Sequence, residues 1–302
     1  FNLQTTNKFI SGLRLENQFQ FGGLRKNVFS ISFPSRRLNT PVYPYFSIVD
    51  SWTPITIYSA NGKKHDQYDQ YGFSLNFGAG SVLRNIWSTT LEYSFVNSTF
   101  SSVFEKSGYE ELVYENKKSG IIKFSTTVDN IDNNLIPRSG VYFNLNSEIT
   151  NNSSSAFNYT HVSSIFDFYK QIRKHSFRIN FTGNYIEGST IPFPRFLFSH
   201  NESYHAGFQR WQIFGHSFLT GRAEFIYQHK RDIFAHFYYN PVLYAHYQTE
   251  DHKVYNVHAG GIGITLLSAI GNLKFNWSIA PNGLYASDRF MSGFYLSGGY
   301  LF

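Results

Sequence analysis

Residues 176–187 read SFRINFTGNYIE, and their alternation decides the fold. One parity carries Phe177, Ile179, Phe181, Gly183 and Tyr185; the other carries Arg178, Asn180, Thr182 and Asn184. Successive side chains of a strand point to opposite faces, so a period of two means that one face meets an apolar medium and the other a polar one. The pattern recurs outward along the chain. Leu219, Ala223, Phe225 and Tyr227 alternate with Thr220, Arg222, Glu224 and Gln228; Phe237, Tyr239 and Leu243 alternate with His236, Asn240 and His246; Leu273, Phe275, Trp277 and Ile279 alternate with Asn272, Lys274, Asn276 and Ser278. Such runs exceed the roughly five or six residues of an average soluble strand. Parity predicts that Leu219, Phe225, Phe237, Leu243, Phe275, Trp277 and Ile279 face lipid, and that Arg222, Glu224, His236 and Lys274 face a lumen.

Composition agrees. Of 302 residues 19% are aromatic, with 32 Phe and 22 Tyr, and only 15% are charged, against about 25% in a soluble domain. The longest run free of charged and strongly polar side chains, GIGITLLSAIG at 261–271, is about half of the roughly 20 residues that a spanning helix needs. Helical membrane spans are thereby excluded, and an alternating transmembrane β-barrel remains. The chain has no cysteine, which excludes disulfide scaffolds, thiolate zinc sites and cysteine nucleophiles. Its net charge of +6 is dispersed without a basic block, so a nucleic-acid partner is not expected. His200, His205, His229, His236, His246, His252 and His258 lack a second ligand at metal spacing on a common element, so neither a metal nor a cofactor is expected. No secretory leader opens the chain, and any signal peptide is expected to have been removed or to lie upstream.

Turn residues cut the chain into about sixteen strands of a single closed antiparallel barrel over residues 1–302. The strands are expected near 1–9, 12–20, 25–34, 42–50, 53–59, 70–79, 86–97, 119–129, 140–150, 156–169, 176–187, 214–229, 233–248, 254–266, 271–281 and 291–302. Tight turns at 230–232 and 268–271 alternate with loops at 97–118, 188–213 and 281–289. Short turns on the periplasmic side and long loops outside are the outer-membrane arrangement, which places the C-terminus in the periplasm. At that terminus Phe294, Leu296, Tyr300 and Phe302 share one parity. A terminal Phe behind alternating aromatic and aliphatic residues resembles the signal by which outer-membrane barrels are recognised for assembly.

Three segments in register resemble the superfamily of outer-membrane assembly and translocation barrels that includes BamA, TamA, the two-partner secretion transporters and the patatin-like autotransporters. FSTTVDNIDNNLIPRSG at 124–140 has Asp129, Asp132, Pro137 and Gly140 in the places of that family's Asp-x-x-Asp turn and Pro-x-x-Gly strand start. GGIGITLLSAIGNLKF at 260–275 resembles its glycine-rich strand and short turn, and residues 205–227 resemble its sixth extracellular loop with the strand that follows. The resemblance implies a sixth loop folded into the barrel, with Gly207, Phe208 and Arg210 near a lumen wall carrying Arg222 and Glu224. One departure stands out: Ala206-Gly207-Phe208 occurs where the family carries Arg-Gly-Phe or Arg-Gly-Tyr, so the role of that Arg does not carry over.

FGHSFLTGRAEFIYQHK at 214–230 most resembles the barrel behind a patatin-like lipase. A Gly-x-Ser-x-Gly turn is missing from these residues, so a lipase, or a periplasmic domain, would lie upstream of Phe1. The resemblance implies a bacterial surface antigen type of barrel in the outer membrane of a Gram-negative bacterium, one that anchors, inserts or translocates an attached domain or client polypeptide. Its partners would be outer-membrane lipid and lipopolysaccharide, the assembly machinery, and a client or a second copy. An assembly factor of the BamA and TamA kind is one alternative and a passive diffusion channel another. No catalytic residue is expected in the chain itself; wall Ser, His and acid groups would fall on separate strands.

Overall fold

The computed structural model of the chain describes residues 2–8, 14–20, 25–33, 42–58, 64–84, 86–104, 113–132, 137–150, 155–196, 215–246, 254–268, 271–281 and 290–299. Among them fifteen strands form one sheet: β1 (Asn2–Lys8), β2 (Arg14–Gln20), β3 (Arg25–Ser32), β4 (Val42–Tyr58), β5 (Lys64–Leu83), β6 (Trp87–Phe104), β7 (Tyr114–Asp129), β8 (Ser139–Thr150), β9 (Asn158–Ile172), β10 (His175–Thr190), β11 (Gly215–Lys230), β12 (Ile233–His246), β13 (Val254–Ser268), β14 (Gly271–Pro281) and β15 (Phe290–Gly299). Each strand pairs antiparallel with its neighbours in sequence, so the sheet is a meander from β1 to β15. No described helix is long and apolar enough to cross a membrane.

Among the described residues, the segments 42–50 and 53–59, expected as two strands, are one. The prolines that suggested a break are tolerated by position. β3 pairs with Tyr45 through Trp52, and Pro44 and Pro54 sit just outside that doubly paired stretch, where a missing N–H costs the ladder little. Pro241 lies inside β12, and here a side chain compensates: the Asn240 amide donates to the Gly221 carbonyl and to Thr220 Oγ1 (2.7 Å). Ladder pairing also extends the strands into expected loops. β6 runs to Phe104, β7 begins at Tyr114 and β10 continues to Thr190, since Ser- and Thr-rich ends pair as readily as apolar ones once a neighbour is in register.

The exposure pattern is inverted relative to a soluble sheet. Leu219, Phe237, Leu243, Trp277 and Ile279 are exposed, whereas Arg222, Glu224 and His236 are buried at 2%, 5% and 6%. Phe294 and Leu296 are exposed on β15, in line with the same parity, while Tyr300 and Phe302 lie outside the described residues. The 124–140 motif has a local cause. Asp132 Oδ1 accepts from the backbone N–H of Arg138 (2.9 Å) and Ser139 (3.1 Å), and Asp129 Oδ1 accepts from Ile131 N–H (3.1 Å). Gly140 holds φ +121°, and a Cβ there would lie 2.1 Å from the Asn130 carbonyl oxygen, so no other residue fits.

Candidate functional site

The buried face carries two constellations. The first lies at one height across β9 to β13. Register sets Arg178 opposite both Tyr169 and Glu224, and Glu224 opposite Tyr238. Arg178 Nε donates to Asp167 Oδ1 (2.7 Å) and its Nη1 to Glu224 Oε2 (3.5 Å). Arg222 grips Glu224 with both Nε and Nη2, each at 3.1 Å, and its guanidinium lies 4.0 Å from the centre of the Tyr238 ring. His236 Nδ1 meets Glu224 Oε1 at 3.0 Å, and its Nε2 meets Thr265 Oγ1 at 2.9 Å. Two carboxylates and two guanidiniums balance. A buried ion costs several kcal/mol of desolvation unless its partners and hydrogen bonds are complete, and here Glu224 has three partners.

The order carboxylate, imidazole, hydroxyl is that of a nucleophilic triad. Its surroundings point elsewhere. Glu224 is committed to two guanidiniums, Thr265 is β-branched and 4% exposed, and the neighbouring strand N–H groups serve the ladder. The network's chemistry is to fix five strands at one height.

The second constellation lies towards those strand ends that bear the longer connections, and draws on β4 to β6 and β8 to β10. β10 leads through Ile191 and Pro192 into a 3-10 turn, Phe193–Arg195. Phe193 and Phe196 are 2% and 3% exposed and share one apolar cluster with Ile55 and Ile57 of β4, Tyr68 of β5, Phe100 of β6, Phe157 ahead of β9, Tyr159 of β9 and Ile186 of β10. The Phe193 ring centre is 5.8 Å from that of Phe100 and 6.4 Å from that of Tyr68. β4 and β10 are six strand steps apart, about 29 Å along a sheet at about 4.8 Å per step, so the sheet curves around this turn. Arg195 ties it down: Nη2 reaches Glu148 Oε2 of β8 at 2.8 Å, and Nε donates to Tyr159 Oη at 3.2 Å. The base of the connection is closed by Gly215 N–H donating to the Phe196 carbonyl (3.1 Å) and by Phe196 against His216.

Arg222 and Glu224 are thus brought together. Gly207, Phe208 and Arg210 lie outside the described residues. Parity in the sequence already set His236 on the lumen face with Arg222 and Glu224, and Arg178 on a polar face, whereas Asp167 and Thr265 were not singled out; what ties all four to Glu224 is register. Arg195 gave no signal, since a connection carries no period. The site's other feature is at the margins of the sheet. Fourteen antiparallel pairings in series leave β1 and β15 running in the same direction.

The profile of the Omp85 superfamily domain matches residues 11–302. Comparison with curated protein sequences returns no match. Among solved structures, BamA of Haemophilus ducreyi lacking POTRA domains 1–3 superposes with a TM-score of 0.81 at 14% identity over 99% of this chain. CdiB of Acinetobacter baumannii does so with a TM-score of 0.57 at 10% identity over 94%. The chain spans 66% of that BamA chain and 53% of that CdiB chain. At such identities the likeness concerns the fold.

Proposed function

The chain belongs to the Omp85 superfamily, whose barrels reside in the outer membrane, and from that premise we propose that it handles a polypeptide by accepting a strand at the margin between β15 and β1. The observation that carries this reading is directional. Because β1 and β15, the margins of the sheet among the described residues, run the same way, a strand bridging them with antiparallel ladders on both sides must run opposite to each, and two strands in the gap would leave one parallel ladder. An edge is a row of unpaired N–H and C=O groups, which a bilayer does not tolerate and an extended polypeptide satisfies. The bridging strand comes from outside β1 to β15: from a client, from an attached domain being anchored or exported, or from a further segment of the same polypeptide. Glycine at 298 and 299 brings no side chain to the end of β15, which favours exchange of its neighbour.

Against a passive channel stands the Phe193–Arg195 turn, which fills space on the buried face where a diffusion pathway would need it empty. The C-terminal Tyr300 and Phe302 serve the protein's own recognition by assembly machinery, with that terminus in the periplasm. Outer-membrane lipid and lipopolysaccharide surround the exposed parity. A patatin-like or periplasmic domain upstream would select between autotransport and assembly.

Photocrosslinking tests the proposal. A benzophenone side chain at Gln4 in β1 and, separately, at Ser292 in β15 should each label the same strand of a defined outer-membrane client during its export. Labelling confined to other segments of the same polypeptide at both positions would overturn the client reading in favour of a closed anchor.

A further inference from the structure

We infer that the short-turn rim of β9 to β12 is a binding belt for anionic phospholipid headgroups. The inference rests on the membrane reading above and adds a ligand class and residues to it. Lys170, Arg173 and Lys174 surround the β9–β10 turn, and Lys230 and Arg231 the β11–β12 turn; all five are exposed, and Asp232 is the acid among them. The two turns form one surface, joined by Gln228 N–H donating to the Lys174 carbonyl (2.8 Å). None of the five cations has an ion pair among the described residues, so their charge is available to a ligand.

Backbone geometry indicates that one of the five, Arg173, is there for its charge. Arg173 has φ +57° in a two-residue hairpin loop closed by Ile172 and His175. Glycine is preferred in that conformation, and an L side chain pays backbone energy to adopt it. The short turn between β5 and β6 repeats the choice with Arg84 at φ +52°. Two of the three described non-glycine residues with positive φ are therefore arginines at short turns of one rim.

What adjoins the cations names the ligand. On the exposed parity just above the turns, His175 stacks on Phe225 (5.3 Å) and Tyr227 (5.5 Å), and Phe177 packs on Phe225 (5.4 Å). Ile172, 55% exposed, continues the apolar surface to the turn itself. A ligand fitting both parts has a phosphate at its head and hydrocarbon behind it. Soluble polyanions would leave the apolar half unused, whereas a phospholipid places its phosphate at the depth where Lys and Arg emerge from an apolar face.

The full chain, folded into phosphatidylcholine vesicles with and without phosphatidylglycerol, carries the test. Spin-labelled phosphatidylglycerol should occupy the protein's boundary shell in preference to spin-labelled phosphatidylcholine, by about fivefold for a site with one cation engaged. Changing Lys170→Gln, Arg173→Gly, Lys174→Ser, Lys230→Gln and Arg231→Asn together should abolish the preference. Its turn residues suit the hairpins as well as or better than the originals, so heat-modifiable migration should persist. Excess inorganic phosphate at matched ionic strength should leave the preference intact. Insertion into both vesicles with equal preference in wild type and variant would overturn the belt alone; a chain that inserts into neither would overturn the membrane reading and the belt with it.

Discussion

Replacing Phe193 with Ala separates a plug from a wall. The ring is 2% exposed and packs on Tyr68 and Phe100 from a segment that belongs to no strand. A buried Phe→Ala change costs about 3–5 kcal/mol, and loss of two aromatic pairs falls within that range. The seated turn makes no ladder pairing with β4, β5 or β6, so the cost falls on the equilibrium between seated and released turn rather than on the ladder. At about 1.36 kcal/mol per tenfold, the ratio should shift by roughly 10²–10⁴. The expected outcome is a rise in single-channel conductance in planar bilayers with little change in the urea midpoint of barrel unfolding. Arg195→Ala should act in the same direction, since Glu148 would lose its 2.8 Å partner, and the exposed Phe177→Ala should change neither reading. A Phe193→Ala protein with wild-type conductance and a urea midpoint lowered by the full cost would refute the reasoning, because Phe193 would then be part of the wall.

Glu224→Gln should lower the unfolding free energy in bilayers by about 3–5 kcal/mol by leaving Arg222 and Arg178 short of a counter-charge, and urea titration reads it; a change below about 1 kcal/mol would remove the network from the account of stability. Phe181→Arg on the exposed parity should cost about 2–4 kcal/mol of folding in bilayers, and Thr182→Arg on the adjacent inward position distinctly less; equal costs would refute the facing. At the β7–β8 turn slight burial would raise the Asp132 carboxyl, but the Arg138 and Ser139 N–H groups outweigh it and hold the group below its ordinary value. Its contribution is therefore present above the unfolded value near 3.9 and is lost as pH falls through the lower folded value. Amide exchange at Arg138 and Ser139, corrected for intrinsic rates, should gain relative protection from pH 3 to pH 6 in the wild type and not in Asp132→Asn. Changing Tyr300 and Phe302 together to polar residues should lower outer-membrane levels more than the lost burial predicts; normal levels with heat-modifiable migration would dismiss the assembly signal.

Facing was legible in the sequence because a period of two carries it one residue at a time. Leu219, Phe237 and Trp277 against Arg222 and His236 needed no partner strand to be read. Strand number was harder, since whether Pro54 breaks a strand depends on where β3 stops pairing. The glycine and aspartates of residues 129–140 were legible as a pattern; the reason for them, a close approach to Asn130 and two amide donors, was not. The ionic network needed register, which brings Asp167, Arg178 and Glu224 together from three strands. Arg195 depends on a turn crossing a curved sheet, and no local pattern encodes that.

The shared direction of β1 and β15 also bears on how copies of the protein meet one another. Molecules inserted the same way up in one membrane all run their edge strands in a single sense. Whichever margins two copies bring together, β1 to β1, β15 to β15 or β1 to β15, the resulting ladder is parallel, the slightly weaker kind. In a sheet with an even number of strands the two margins run oppositely, and copies could concatenate head to tail through antiparallel ladders into an open polymer. Where β1 and β15 are the edges, their shared direction thus disfavours self-association and leaves the margin receptive to a single strand of opposite sense, from a client or from elsewhere in the same polypeptide.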